Sequence, residues 1–235
     1  EITQFCVEGH QSGLFDSVYF LDSAIPAKIL DHFADILIKN GISFPWGTNL
    51  RADEPFINED FIKKLAAAGC VFVKFGLESG SQHVLNLMCK GIKVENAAKF
   101  VNLCRKYGIY VHSYVMFAFP GETMEDIMQT REFLLSDYSN PDNYNCSEFI
   151  LYGTAPIAKE LNFILATDSD EEGWHSASYS FTNDIVKAEI AKLRDEFEQK
   201  FSPANVLVST GHTISLSKKL IESKMPTISL CENSI

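Results

Sequence analysis

The sequence predicts an α/β fold with a parallel sheet, on three observations. Four strand–helix units follow one another between Val18 and Leu135. Their strand segments are apolar runs without strict alternation, as strands covered on both faces require. Hydrophobic residues make up 46% of the 235 and charged residues 22%, the balance of a chain that buries a core. Crossovers between parallel strands are nearly always right-handed, so that hand is expected here.

Val18-Tyr19-Phe20-Leu21 is the first apolar run after Gly13. Pro26 suits the first turn of a helix reaching about Lys39, with Ile29, Leu30, Phe33, Ile36 and Leu37 at helical spacing. Asn40-Gly41 ends that helix, and Ile42 to Leu50 reads as the second strand. Asn58 is placed to cap a helix containing Phe61, Ile62 and Leu65, which closes at Gly69. The third strand is Cys70 to Gly76, followed by a polar turn and helical segments at 84–89 and 94–107 that Gly108 ends. Ile109 to Phe117 is the fourth strand, and the fourth helix runs from about Thr123 to Leu135.

Ser136 to Asn145 is rich in Asp, Ser, Asn and Pro and reads as a loop, after which Cys146 to Leu151 reads as a fifth strand. Beyond Gly153 the pattern loosens into an acidic loop at 168–173, a long charged helix from Asp184 to Phe201, and weak signals from Val206 onward. Residues 1–153 are therefore expected to form the α/β unit, and 154–235 a mainly helical carboxy-terminal extension.

Net charge is −11 and no block of lysines and arginines stands out, so a nucleic-acid partner is not indicated. No run of about 18 apolar residues occurs, and Glu1-Ile2-Thr3-Gln4 has neither the basic nor the apolar region of a signal peptide. No membrane partner is expected, and the expected location is the cytoplasm. Six cysteines (Cys6, Cys70, Cys89, Cys104, Cys146, Cys231) lie far apart with no C-x-x-C pair, which reads as buried free thiols rather than ligands. The six histidines lack H-x-x-x-H spacing, and no G-x-S-x-G, Walker or G-x-G-x-x-G pattern supports a hydrolase, NTPase or dinucleotide site.

Ligands of parallel α/β folds sit at the carboxyl ends of the strands, where helix amino termini and loops converge. Four such ends carry polar groups directly after apolar residues: Leu21-Asp22-Ser23, Asn49-Leu50-Arg51, Glu78-Ser79-Gly80-Ser81 and Phe119-Pro120-Gly121-Glu122. Together they suit a small zwitterion, with arginine for its carboxylate and carboxylates for an ammonium or a ribose. Asp22 and Ser23 also read as a helix cap, and Arg51 as a surface partner of Asp53 or Glu54. Glu78 follows an apolar strand, where a carboxylate is costly without a partner. Pro120-Gly121 reads as a turn, with Glu122-Thr123 starting the next helix.

The string Gly76-Leu77-Glu78-Ser79-Gly80-Ser81-Gln82, with Val84-Leu85, Met88 and Lys90-Gly91, resembles the fourth-strand region of the radical S-adenosylmethionine (SAM) superfamily. Phe20 to Ser23, Asn49-Leu50-Arg51-Ala52-Asp53 and Met116 to Thr123 resemble that family's second strand, its arginine-bearing third strand and its G-F-P-G-E-T turn, in the same order. Ala118 stands where the turn usually has glycine, and Leu21-Asp22-Ser23 where many members have Gly-Gly-Glu. The resemblance implies a partial (β/α) TIM-like barrel that binds SAM. Asp22 and Ser23 would lie near the SAM amino group, Arg51 near its carboxylate, Glu78 and Ser79 near the ribose, and Phe117 and Phe119 near the adenine.

The family's C-x-x-x-C-x-x-C loop, whose thiolates hold a [4Fe–4S] cluster, does not occur in this sequence. The chain therefore reads as a fragment of an enzyme that reductively cleaves SAM to a 5′-deoxyadenosyl radical and modifies a small molecule or peptide. The pattern after the third and fifth strands, Glu-Ser-Gly-Ser and Tyr152-Gly153-Thr154-Ala155-Pro156, is similar to members that carry an upstream cobalamin domain. Such members are methyltransferases, cyclases or peptide modifiers, so cobalamin is implied for a parent protein. Two other readings compete: a cluster-less, non-catalytic homologue acting as a binding or scaffold protein, and an unrelated TIM-barrel enzyme using Glu78 with Arg51. An uncovered edge at Val18 to Leu21 is expected to favour self-association.

Overall fold

The computed structural model describes residues 2–22, 25–149, 164–165, 174–175, 183–201, 209–210 and 213–214. Five parallel strands form one sheet in chain order: β1 Val18–Phe20, β2 Trp46–Leu50, β3 Cys70–Glu78, β4 Tyr110–Phe117 and β5 Asn143–Glu148. The helices are α1 Ile2–Gln11, α2 Ala27–Lys39, α3 Glu59–Ala67, α4 Gln82–Leu87, α5 Val94–Lys106, α6 Met124–Leu135 and, further on, α7 Asn183–Phe201.

Side chains alternate between the two faces of a strand, and here the two faces differ in chemistry. Trp46 and Leu50 of β2, Val73, Phe75 and Leu77 of β3, and Val111, Val115 and Phe117 of β4 join one core with Leu30, Phe33 and Leu37 of α2, Ile62 and Leu65 of α3, and Phe100 of α5. Edge-on ring contacts at 5.2 Å fix two of these layers, Phe33 on Trp46 and Phe75 on Phe100. The buried Trp46 indole N–H donates to the Ala68 carbonyl at 2.9 Å. The opposite face has a smaller apolar cluster made of strand residues, Phe72 and Tyr110 with Tyr19 and Val71. Above it Asn49, Lys74, His112 and Asn143 stand in one row across four strands.

The local signals act as read at several ends. Asn58 accepts the Phe61 N–H at 3.1 Å at the start of α3, and Gly69 (φ +94°) and Gly108 (φ +74°) follow α3 and α5 in the left-handed region that glycine tolerates. Thr123 opens α6 in a reciprocal capping box with Asp126.

Elsewhere the chain departs from expectation. The second strand begins at Trp46 rather than Ile42, because Pro45 has no N–H for the ladder. A 3₁₀ turn at Glu54–Ile57 precedes α3. The fifth strand is Asn143–Glu148, not Cys146 to Leu151; its asparagines conceal a strand whose Tyr144 and Cys146 face the core. Leu151 lies outside the described residues. Pro26 is the residue before α2, so Asp22 does not cap that helix. Helix α1 was not anticipated, since it buries just Cys6, Val7 and Gly9. Of the carboxy-terminal segment, α7 agrees with the expected helix, and two-residue hairpins at 164–165 with 174–175 and 209–210 with 213–214 are additional.

Helix α7 packs beside α6 and adds to the core at Tyr144 of β5. Phe197 meets Tyr144 edge-on at 4.6 Å, Leu193 is buried, and Arg131 of α6 pairs with Glu196 at 2.5 Å. No helix among the described residues is long and apolar enough to cross a membrane.

Candidate functional site

Parallel strands bring their carboxyl ends to one edge of the sheet, and there the residues picked from sequence are joined by hydrogen bonds. Glu78 closes β3 with φ +64°, a left-handed conformation that costs a non-glycine residue about 1–2 kcal/mol. Its carboxylate accepts from Lys90 Nζ at 2.6 Å. Gly76 makes room for this pair: a Cβ there would lie 2.3 Å from Glu78 Oε1 and 3.2 Å from Lys90 Nζ. Arg51, just past β2, donates from Nη2 to the carbonyl of the same Lys90 at 2.7 Å. Its Nε is 3.8 Å from Asp53, an exposed pairing of little consequence. Lys90 thus links the two most diagnostic residues through both its backbone and its side chain. The sequence signal for it was present in the Lys90-Gly91 pair, but its bridging role depends on a fold-back across Gly76 that spacing does not reveal.

Asp22 is exposed, and its carbonyl accepts from Asn49 Nδ2 at 2.9 Å, which ties the segment after β1 to β2. Ser23 lies outside the described residues. Ser79 is fully buried and its hydroxyl meets that of Thr130 at 3.0 Å while accepting the Ser81 N–H at 3.1 Å. Its place is inside a lock between the turn after β3 and helix α6. Phe117 is 2% exposed within the core, and Phe119 is 5% exposed with its ring 5.0 Å from Phe149. The structure therefore brings Asp22, Arg51 and Glu78 to one polar edge, and places Ser79 and the Phe117 ring in packing roles.

The lock continues through Asp126, buried at 4% exposure. Its carboxylate accepts from the Ser81 hydroxyl, from Thr123 N–H at 2.9 Å and Thr123 Oγ1 at 2.7 Å, and lies 3.1 Å from His83 Nδ1. Burial works to raise its pKa, but the bonds from Ser81, Thr123 and His83 outweigh that and hold it below the usual value. Gly80 lets the turn approach α6, because a Cβ there would sit 2.7 Å from the Thr130 Cα.

The turn at 118–122 holds a second buried carboxyl. Ala118 has φ +65°, which explains why glycine suits that position. Glu122, 3% exposed, accepts the Ala118 N–H at 2.5 Å through Oε2, while Oε1 has no hydrogen-bond partner among the described residues. Glu122 is not in the helix that follows; it braces this turn. Burial pushes its pKa up to about 8. The group is neutral when folded over a range where the unfolded chain ionises, so its stabilisation is complete below pH ~4.5 and is lost as pH rises through 8. His112, held down to about 4 by burial and by the Lys74 charge, acts oppositely, losing stability as pH falls from 6.5 through 4. Above pH 6.5 its contribution is constant. Unfolding free energy is expected to drop by about 1–2 kcal/mol between pH 6.5 and 8, a drop absent in Glu122→Gln; urea titrations at both pH values check this.

A metal or cluster site needs thiolates or closely grouped ligands. Burial pushes the Cys70 thiol up to about 12, and Cys104 well above its ordinary value. No group of three His, Cys, Asp or Glu side chains among the described residues is able to hold a metal ion. These residues do not fit an iron–sulfur cluster.

Residues 20–134 match the sequence model of the radical SAM superfamily. An uncharacterised methyltransferase of Pyrococcus horikoshii is 30% identical over 95 residues, 40% of this chain and 20% of that protein. The anaerobic magnesium-protoporphyrin IX monomethyl ester cyclase of Rubrivivax gelatinosus is 24% identical over 166 residues, 71% of this chain and 28% of the cyclase. The aligned chain thus spans under a third of the length of either relative. Among solved structures, the radical SAM methyltransferase TsrM of Kitasatospora setae, with cobalamin and a [4Fe–4S] cluster bound, has TM-score 0.55 at 20% identity over 66% of this chain and 30% of that one. The coproporphyrinogen III oxidase of Escherichia coli has TM-score 0.56 at 16% identity, over 77% and 40%. These likenesses make the five-stranded sheet a partial (β/α) barrel, and the family match sets aside the unrelated-barrel reading.

Proposed function

Residues 20–134 belong to the radical SAM superfamily, and from that premise we propose that this chain provides the SAM-binding edge of an enzyme that modifies a small molecule or peptide. The observation that carries the proposal is the Arg51–Lys90–Glu78 linkage, which ties a guanidinium and a carboxylate to one residue at the strand ends. Arg51 would take the SAM carboxylate, Glu78 the ribose hydroxyls, and the exposed Asp22, with Ser23, the ammonium. The adenine would meet the backbone at 117–119 and the Phe119 edge, since the Phe117 ring is in the core. Bound SAM supplies a sulfonium whose methyl or adenosyl group is the transferable fragment. Reductive cleavage also requires a cluster, for which ligands are to be sought outside the described residues, and cobalamin is known here as a component of TsrM.

Equilibrium dialysis with radiolabelled SAM tests the assignment. The chain is expected to bind SAM, and Arg51→Met and Glu78→Gln are each expected to weaken binding about 10-fold or more, as loss of a charged hydrogen bond does. Wild-type affinity in both variants would overturn it.

A further inference from the structure

On the face of the sheet opposite the helices, the row Asn49, Lys74, His112, Asn143 contains an amine that the SAM site does not use. Lys74 is half-buried and has no carboxylate partner among the described residues, in a chain of net charge −11. Its Nζ is instead flanked by two phenol rings, 5.4 Å from the Tyr19 centroid and 5.9 Å from that of Tyr114. Tyr19 is fixed by donating to Asn49 Oδ1 at 2.7 Å, and the Tyr114 ring meets His112 edge-on at 5.1 Å. Beside the amine, His112 is 4% exposed and its Nε2 has no hydrogen-bond partner among the described residues.

A cation held between aromatic faces and next to an unsatisfied buried imidazole is a polar arrangement awaiting an acceptor. We propose that Lys74, with His112, Tyr19 and Tyr114, binds the carboxylate of the substrate on this inner face. The inference rests on the SAM reading for the word substrate. Lys74 lies on the same strand and face as Gly76, across which Glu78 folds. Glu78 lies four residues further along the strand than Lys74, about 13 Å, so the carboxylate would lie at about that distance from the SAM edge. One positive charge beside a neutral imidazole matches a monoanion better than a phosphate dianion. The ring faces of Tyr19 and Tyr114 suit a planar, apolar body attached to it.

Benzoate is the probe, with benzamide as its neutral isostere and inorganic phosphate as the competing anion. Nuclear magnetic resonance of the Lys74 ε-methylene and the His112 ring reports binding on the full chain. Benzoate is expected to shift both signals saturably and benzamide to shift neither. Lys74→Met is expected to weaken benzoate at least 10-fold, and Lys74→Arg to retain it. Absence of benzoate shifts, equal effects of benzamide, preference for phosphate, or unchanged affinity in Lys74→Met would each overturn the proposal. Circular dichroism melting confirms that the variants fold. SAM dialysis on the same samples separates the two claims: SAM binding unaffected by Lys74→Met with no benzoate site sinks this inference alone, whereas a Lys74-dependent benzoate site without SAM binding sinks the SAM reading.

Discussion

Gly76→Ala is expected to weaken SAM binding by roughly 10- to 100-fold while leaving the fold intact. The added methyl would stand 2.3 Å from Glu78 Oε1 and 3.2 Å from Lys90 Nζ, both ends of flexible side chains. They would swing away, and the ion pair that orients Glu78 and holds Lys90 over Arg51 would open. The backbone itself tolerates the change: Gly76 is within a strand, outside the left-handed region, and alanine costs the unfolded chain conformational freedom. Dialysis against SAM combined with thermal melting checks both halves. Wild-type affinity would show that the pair is not part of the site, and loss of the cooperative melt would show that it serves the fold.

Asp126→Ala is expected to lower unfolding free energy by about 3–5 kcal/mol, the cost of removing the acceptor from a buried charged network. The turn after β3 and the start of α6 share this one carboxylate. Without it the Ser81 hydroxyl and the Thr123 N–H would be left buried or half-buried with no acceptor, each such loss costing about 1–3 kcal/mol. Asp126→Asn, which keeps one carbonyl acceptor, is expected to lose less than half as much. Urea titration with an unchanged slope measures the difference. Equal effects of the two variants would mean that shape and not hydrogen bonding sets the cost. Because the lock joins two of the strand ends of the proposed SAM edge, the alanine variant is also expected to bind SAM less well at temperatures where it remains folded.

The order of strands and helices from Val18 to Leu135 was legible because apolar runs and helical spacing alternate there without ambiguity. Turn chemistry was legible where one residue type answers one backbone need, as at Asn58, Gly69, Gly108 and the Thr123 box. What escaped was structure set by distant partners. Strand β5 forms from Asn143-Tyr144-Asn145, a loop-like composition, because β4 supplies its ladder partner and the Phe197 ring of α7 packs on Tyr144. Arg51 and Glu78 stood out in the sequence as candidates, but their coupling depends on Lys90, twelve residues beyond Glu78, reaching across a glycine. Glu122 read as a helix start because no local pattern announces that a carboxyl will be buried beneath a turn. Ser79 stood in a ligand-like string, yet its hydroxyl is committed to Thr130, fifty-one residues away.

Hydrogen–deuterium exchange of the chain with and without SAM tests the central claim most directly, since it reads where the ligand sits as well as whether it binds. Slowed exchange is predicted at 49–51, 76–79 and 117–119, the ends of β2, β3 and β4, with residues 2–11 of α1 unchanged. Exchange unaltered at these strand ends under saturating SAM, or protection confined to other segments, would contradict the account.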